Sequence, residues 1–267
     1  SDSANDDWAA VTINSTGGTA TASTAANVVG ALDLAAGNTM QTLEINATTS
    51  FTSGTIVGWD TTSATANKGA ITIKGAGAVS IGTLDNAVES VNASTNSGGV
   101  TATLSNQTDF QFTGSTGADV ITTGAVLSTS TAAPGSVSGG EGSDTLVVAG
   151  STHISATVGA KYTGFETLQV QNGVSVDLDN IAGVTDLTIN QAGTATGLTD
   201  LSAAQAAKVK IAGTGAGVVT VGVKSAATVG QVDTVTLTID DGAAAVADLV
   251  VTAPVMTGVE NLVINAA

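Results

Sequence analysis

The sequence predicts an all-β fold, a parallel β-solenoid (β-helix), and three observations carry the prediction. Short segments alternate apolar and polar residues, the period of a half-buried strand. These segments resemble one another in residue order, as the coils of a solenoid do. The core open to them is aliphatic, because aromatics make up 3% of the chain against 42% hydrophobic residues. Val, Ile and Thr also carry the β-branching that favours strands. A β-sandwich of similar hairpins meets the same composition and stands as the alternative.

In chain order the alternating segments include Leu43-Glu44-Ile45, Ile71-Thr72-Ile73, Val174 to Leu178, and Leu187-Thr188-Ile189. Val209-Lys210-Ile211, Val235 to Ile239 and Leu262-Val263-Ile264 follow. Gly, Asn, Asp, Ser and Thr separate them, as turns require. Several share a frame: Gly, an apolar residue, one or two polar residues, then alternating apolar residues closed by Asn or Gln. Gly164-Phe165-Glu166 runs on to Asn172, Gly183-Val184 to Asn190, and Gly258-Val259 to Asn265. Asn side chains at the same point of successive coils are expected to form a hydrogen-bonded ladder. The spacing is irregular, so this is not a strict repeat array.

Two stretches read as helical. Thr199 to Lys208 is rich in Ala behind a cap at Thr199 or Asp200, and Ala25 to Ala36 is a weaker case. Residues 92–108 and 123–138, rich in Ser, Thr, Asn and Gly, read as loops. The expected division is a β-rich segment over 1–108 and a solenoid with Gly-rich turns over 109–267, or one continuous solenoid. The chain starts without Met and ends within a strand-like pattern, so a fragment of a longer protein is expected.

Charge narrows the partners. The chain has 6 basic residues, all Lys, against 22 acidic ones, for a net charge of −16. Such a surface repels phosphate, which disfavours nucleic acid and anionic lipid. Carboxylates in turns without basic partners suit a hard cation such as Ca²⁺, although acidity by itself also keeps a protein soluble. There is no Cys, which excludes thiolate metal sites and Cys nucleophiles. No apolar run reaches the ~18–20 residues of a membrane span.

The motif with the clearest chemistry is Gly139-Gly140-Glu141-Gly142-Ser143-Asp144-Thr145-Leu146-Val147. It matches the nonapeptide G-G-x-G-x-D-x-U-x of calcium-binding β-helix repeats at every specified position. Glycines let the backbone turn carbonyl oxygens inward, and Asp144 adds a carboxylate. Gly114-Ser115-Thr116-Gly117-Ala118-Asp119-Val120-Ile121-Thr122 is a degenerate copy upstream. It puts Asp119 at the place equivalent to Asp144, so the two turns are expected to stack. The candidate metal ligands are therefore Asp119 and Asp144 with Gly114, Gly117, Gly140 and Gly142. Asp109, Asp240 and Asp241 are weaker candidates, each reading more readily as a solvated turn carboxylate.

The string Phe112 to Asp119, then Gly135 to Val147, then Gly164 to Val170, resembles calcium-dependent surface-layer proteins of the Caulobacter type, in the RTX group exported by type I secretion. The resemblance covers about residues 110–190. It implies a solenoid with Ca²⁺ between turns, on a bacterial cell surface, self-assembled into a lattice with copies of itself. It also implies attachment to cell-surface polysaccharide through regions not recognisable in this sequence. No nucleic-acid partner or membrane insertion is expected.

Catalysis has little to work with. The chain has one His, His153, and one Tyr, Tyr162, and no Arg. No nucleophile elbow, phosphate loop or dinucleotide fingerprint accompanies them. His153 reads as a solvent-facing strand residue. The expectation is a structural protein and not an enzyme. An RTX adhesin domain binding a surface or glycan is the alternative, and a β-helix polysaccharide lyase or epimerase a further one.

Overall fold

Every strand pairing among the described residues is parallel and joins one pass of the chain to the next, the pattern of a chain winding into coils. The structure, a computed structural model, describes residues 10–17, 26–33, 40–59, 69–130, 134–215, 217–224, 232–240, 249–252 and 254–266. The chain forms two compact units, Ser1–Asp144 with Lys161–Gly164, and Thr145–Ala160 with Phe165–Ala267. The expected boundary at residue 108 falls inside the first unit.

The first unit carries a sheet ordered Ala10–Ser15, Thr42–Ala47, Gly69–Gly75, Val88–Asn96, Gln111–Thr113, Ser136–Ser138 and Tyr162–Thr163. A second sheet runs through Asn27–Val29, Phe51–Ser53, Val79–Thr83, Val100–Thr103 and Val120–Thr122. Leu32–Asp33 pairs with Ile56–Val57 in a short third one. Alternation along each strand decides which face is buried. In the first sheet Val11, Leu43, Ile71, Val91, Phe112, Val137 and Tyr162 stack in register into one inward column, buried from Leu43 onward. One residue further along, Thr12, Glu44, Thr72, Asn92, Thr113, Ser138 and Thr163 form the outward column.

The second unit repeats the scheme. Thr145–Val148, Thr167–Val170, Asp186–Gln191, Val209–Gly213, Thr234–Ile239 and Asn261–Ala266 follow one another in one sheet. Ser175–Asp177, Thr196–Leu201, Val219–Val223 and Val255–Thr257 form another. Leu146, Leu168, Leu187, Val209 and Leu237 stack as a buried column. Ile264 continues it but is 57% exposed. The fold is a parallel β-solenoid with almost no helix.

Three local expectations need correction. Residues 92–108 are a loop only at 97–99 and 104–108: Val88–Asn96 and Val100–Thr103 are strands, because Val91, Ala93, Val100 and Ala102 fill the core. In 123–138, Ser136–Ser138 is likewise a strand. Where a helix was expected at 25–36, Asn27–Val29 and Leu32–Asp33 are strands, and 25 and 34–36 lie outside the described residues. The helix expected at 199–208 shrinks to Ala203–Ala206. Thr199 and Asp200 belong to a strand whose Leu198 and Leu201 are fully buried. The cap is Ser202, in a reciprocal capping box with Gln205, which satisfies two otherwise orphaned donors.

Candidate functional site

The two Gly-rich turns follow the strands Gln111–Thr113 and Ser136–Ser138, which pair in register. Pairing carries over into the turns. The Gly114 amide donates to Ser138 O at 2.8 Å, and the Glu141 amide to Ser115 O at 3.1 Å. The turns therefore stack as the spacing predicts. Close approach explains the glycines. A Cβ on Gly114 would lie 1.6 Å from Gly139 O, and one on Gly117 would lie 2.6 Å from Ser97 O. Gly140 and Gly142 have φ of +102° and +126°, a region that L side chains rarely adopt.

Asp119 and Asp144 are 0% and 1% exposed and lie one coil apart. Asp144 Oδ1 accepts the Asp119 amide at 2.8 Å. Asp119 Oδ1 accepts the Val100 amide at 2.5 Å and the Ser115 hydroxyl at 2.8 Å. Its Oδ2 accepts the Ser115 amide at 2.7 Å. Each carboxylate thus reaches back to an amide of the preceding coil. Burial raises the Asp119 carboxyl above its ordinary value, while the hydrogen bonds from Ser115 and Val100 pull the other way.

A carboxylate offers about four lone-pair directions. Three of those on Asp119 meet N–H or O–H hydrogens, and a cation placed there would face positive hydrogens. The donor set around Asp119 fits a turn cap and does not fit a calcium site. Among the described residues no three His, Cys, Asp or Glu gather to hold a metal.

The weaker candidates do not join these turns. Asp109 lies half-buried in the turn before Phe110. Asp240 belongs to the second unit and pairs with Lys210 at 2.6 Å. Asp241 lies outside the described residues. Three participants escaped the motif: Ser115, the Val100 amide and Asn96. Asn96 is 0% exposed and serves the preceding turn. Its Oδ1 accepts the Gly98 and Gly99 amides, and its Nδ2 donates to Gly75 O and Gly77 O, at 2.9–3.0 Å. The Gly98-Gly99 pair after Asn96 was the available signal.

The expected Asn ladder exists in part, since Asn46 Nδ2 donates to Asn14 Oδ1 at 3.0 Å. Asn172 Oδ1 accepts the Ala192 and Thr194 amides of the next coil at 2.9 and 2.8 Å. His153 sits in a turn and not a strand. Burial lowers its pKa from the ordinary value. One shallow groove lies in the second unit, lined by Thr199, Asp200, Thr220, Gly222, Val223 and Thr257. It sits at a bulge where the register slips between Leu198 and Leu201, and there Asp200 takes a φ of +57°.

These features define a β-solenoid protein whose corners are held by buried Asn and Asp side chains. No protein-family model, curated protein or solved structure matches the chain.

Proposed function

We propose that this chain is a non-catalytic structural segment of a bacterial surface layer, exported from the cell and associating laterally with copies of itself. One observation supports the reading above the rest. The first sheet of the first unit presents an outward column of Thr, Glu, Asn and Ser, one residue per coil, from Thr12 to Thr163. A rigid face with groups repeating about every 4.8 Å suits many weak polar contacts spread over an area, as a lattice needs. Four lysines clamp coil to coil at the surface, among them Lys74 on Glu44 at 2.5 Å and Lys224 on Asp179 at 2.6 Å. Tyr162, Asp119 and Asp144 are buried and His153 is half-buried, which favours a structural role.

The test is sedimentation of the purified chain over a concentration series, with electron microscopy of the heavy fraction. Ordered sheets or reversible oligomers are expected, weakened by replacing Thr72 and Asn92 with Lys. A chain that stays monomeric at every concentration would sink the reading.

The adhesin alternative has one foothold, the groove beside Asp200, whose hydroxyls and carboxylate suit a sugar. Saturable glycan binding by the monomer, lost in Asp200→Ala, would favour that reading instead.

A further inference from the structure

We infer that the Gly-rich turns of the first unit close as metal-free, hydrogen-bonded corners, with Asp119 as the acceptor that ties one coil to the next. Two independent observations carry this. The first is the direction of the donors. A calcium ion takes six to eight oxygens whose lone pairs converge on it. The oxygens of Asp119 instead meet two amides and a hydroxyl, and one of those amides, Val100, belongs to the preceding coil. The Ser115 hydroxyl, which also accepts the Gly117 amide at 3.0 Å, locks the turn onto the carboxylate.

The second observation is Asn96. It fills the same corner one coil earlier with a neutral side chain. Its Nδ2 donates to the carbonyls of Gly75 and Gly77, the kind of oxygen that a cation between coils would need. Its Oδ1 gathers the Gly98 and Gly99 amides. Successive corners therefore carry Asn96, Asp119 and Asp144, one buried acceptor each. The common need is an acceptor for turn amides, which a neutral carboxamide meets as well as a charged carboxylate does. The Gly114–Asp119 string in this chain thus specifies a turn that supplies its own ligands to Asp119, the Ser115 amide and hydroxyl.

Folding then does not wait for a cation. The first test is a thermal melt of the full chain in chelator and in millimolar CaCl₂, for wild type, Asp119→Ala and Ser115→Ala. Ser115→Ala removes a donor to Asp119 that no cation site would use, and it is mild enough to fold. The expected result is the same melting temperature for wild type with and without calcium. Ser115→Ala should melt about 2–4 °C lower in both buffers. Hydrogen exchange in chelator should show the Val100 and Asp119 amides protected. A calcium-dependent rise of about 5 °C or more, absent in Asp119→Ala, would overturn the inference. So would an unchanged melt for Ser115→Ala or fast exchange at Val100 and Asp119.

Discussion

Asp119 shows how much one side chain can be asked to do in a solenoid corner. Its carboxylate sits at 0% exposure yet accepts three hydrogen bonds, which offset most of the cost of burying it. Burial still raises its pKa above the ordinary 3.8, so the folded state holds this proton more tightly than the unfolded state. Its contribution to stability is therefore full below pH 3.8 and is lost as pH rises through the raised folded value. Glu44 and Asp186 behave in the opposite sense. The Lys74 hydrogen bond lowers the first, and the Thr185 hydroxyl, with Lys208 behind it, lowers the second. Urea melts from pH 3 to pH 7 on wild type and Asp119→Asn should show wild type losing stability relative to the variant as pH rises through the Asp119 window. A constant difference would contradict the assignment. Tyr162 is a second residue with a sharp expectation. Its hydroxyl is buried with no hydrogen-bond partner, and burial pushes its pKa upward. Tyr162→Phe should leave stability unchanged or raise it by about 1 kcal/mol in denaturant melts.

The turns and strands, one scale up, are built by neighbours and only loosely by local preference. Thr199 to Lys208 has the composition of a helix, yet helix forms only over Ala203–Ala206, because Leu198 and Leu201 are drawn into the core of the second unit. Four residues of that strand, Leu198 to Leu201, then span three of the next, Val221 to Val223, and the bulge falls at Thr199 and Asp200. Glycines divide by the same logic. Gly114 has another coil's carbonyl where its Cβ would be, whereas Gly30 has open space. Gly114→Ala should cost about 3 kcal/mol and Gly30→Ala about 0.5 kcal/mol or less, read from urea midpoints. Equal costs would mean the coils do not approach as described.

At the scale of the whole molecule the charge balance matters more than any pair. A net charge of −16 repels itself within a compact chain. The surface ion pairs found, such as Lys208 with Asp186 at 3.3 Å, contribute about 0–1 kcal/mol each. Repulsion should win, so the melting temperature is expected to rise between low salt and about 0.5 M NaCl as screening shortens the Debye length. A fall would show that the cross-coil lysines dominate. Coils contact chiefly their neighbours, so stability is expected to vary along the chain as in other repeat proteins.

The alternation of Leu43-Glu44-Ile45 or Leu187-Thr188-Ile189 was enough to predict strands and their buried faces, because a period of two follows from backbone geometry alone, while the stacking of coils was suggested by the likeness of the segments to one another. The same signal failed at 92–108, where Ser, Thr and Asn on the outward face masked Val91, Ala93, Val100 and Ala102 on the inward one. The string from Gly139 to Asp144 likewise revealed a tight turn stacked on another at Gly114 to Asp119. Sequence by itself thus pointed to an acidic, aliphatic, parallel β-solenoid, with a β-sandwich as the alternative, and to two aspartates at equivalent places in stacked turns. Only the tertiary structure decided what those aspartates face. A carboxylate binds a cation or an amide according to which groups converge on it, and here the Val100 amide comes from a coil 19 residues away. That convergence is set by how the coils register, which no local pattern records.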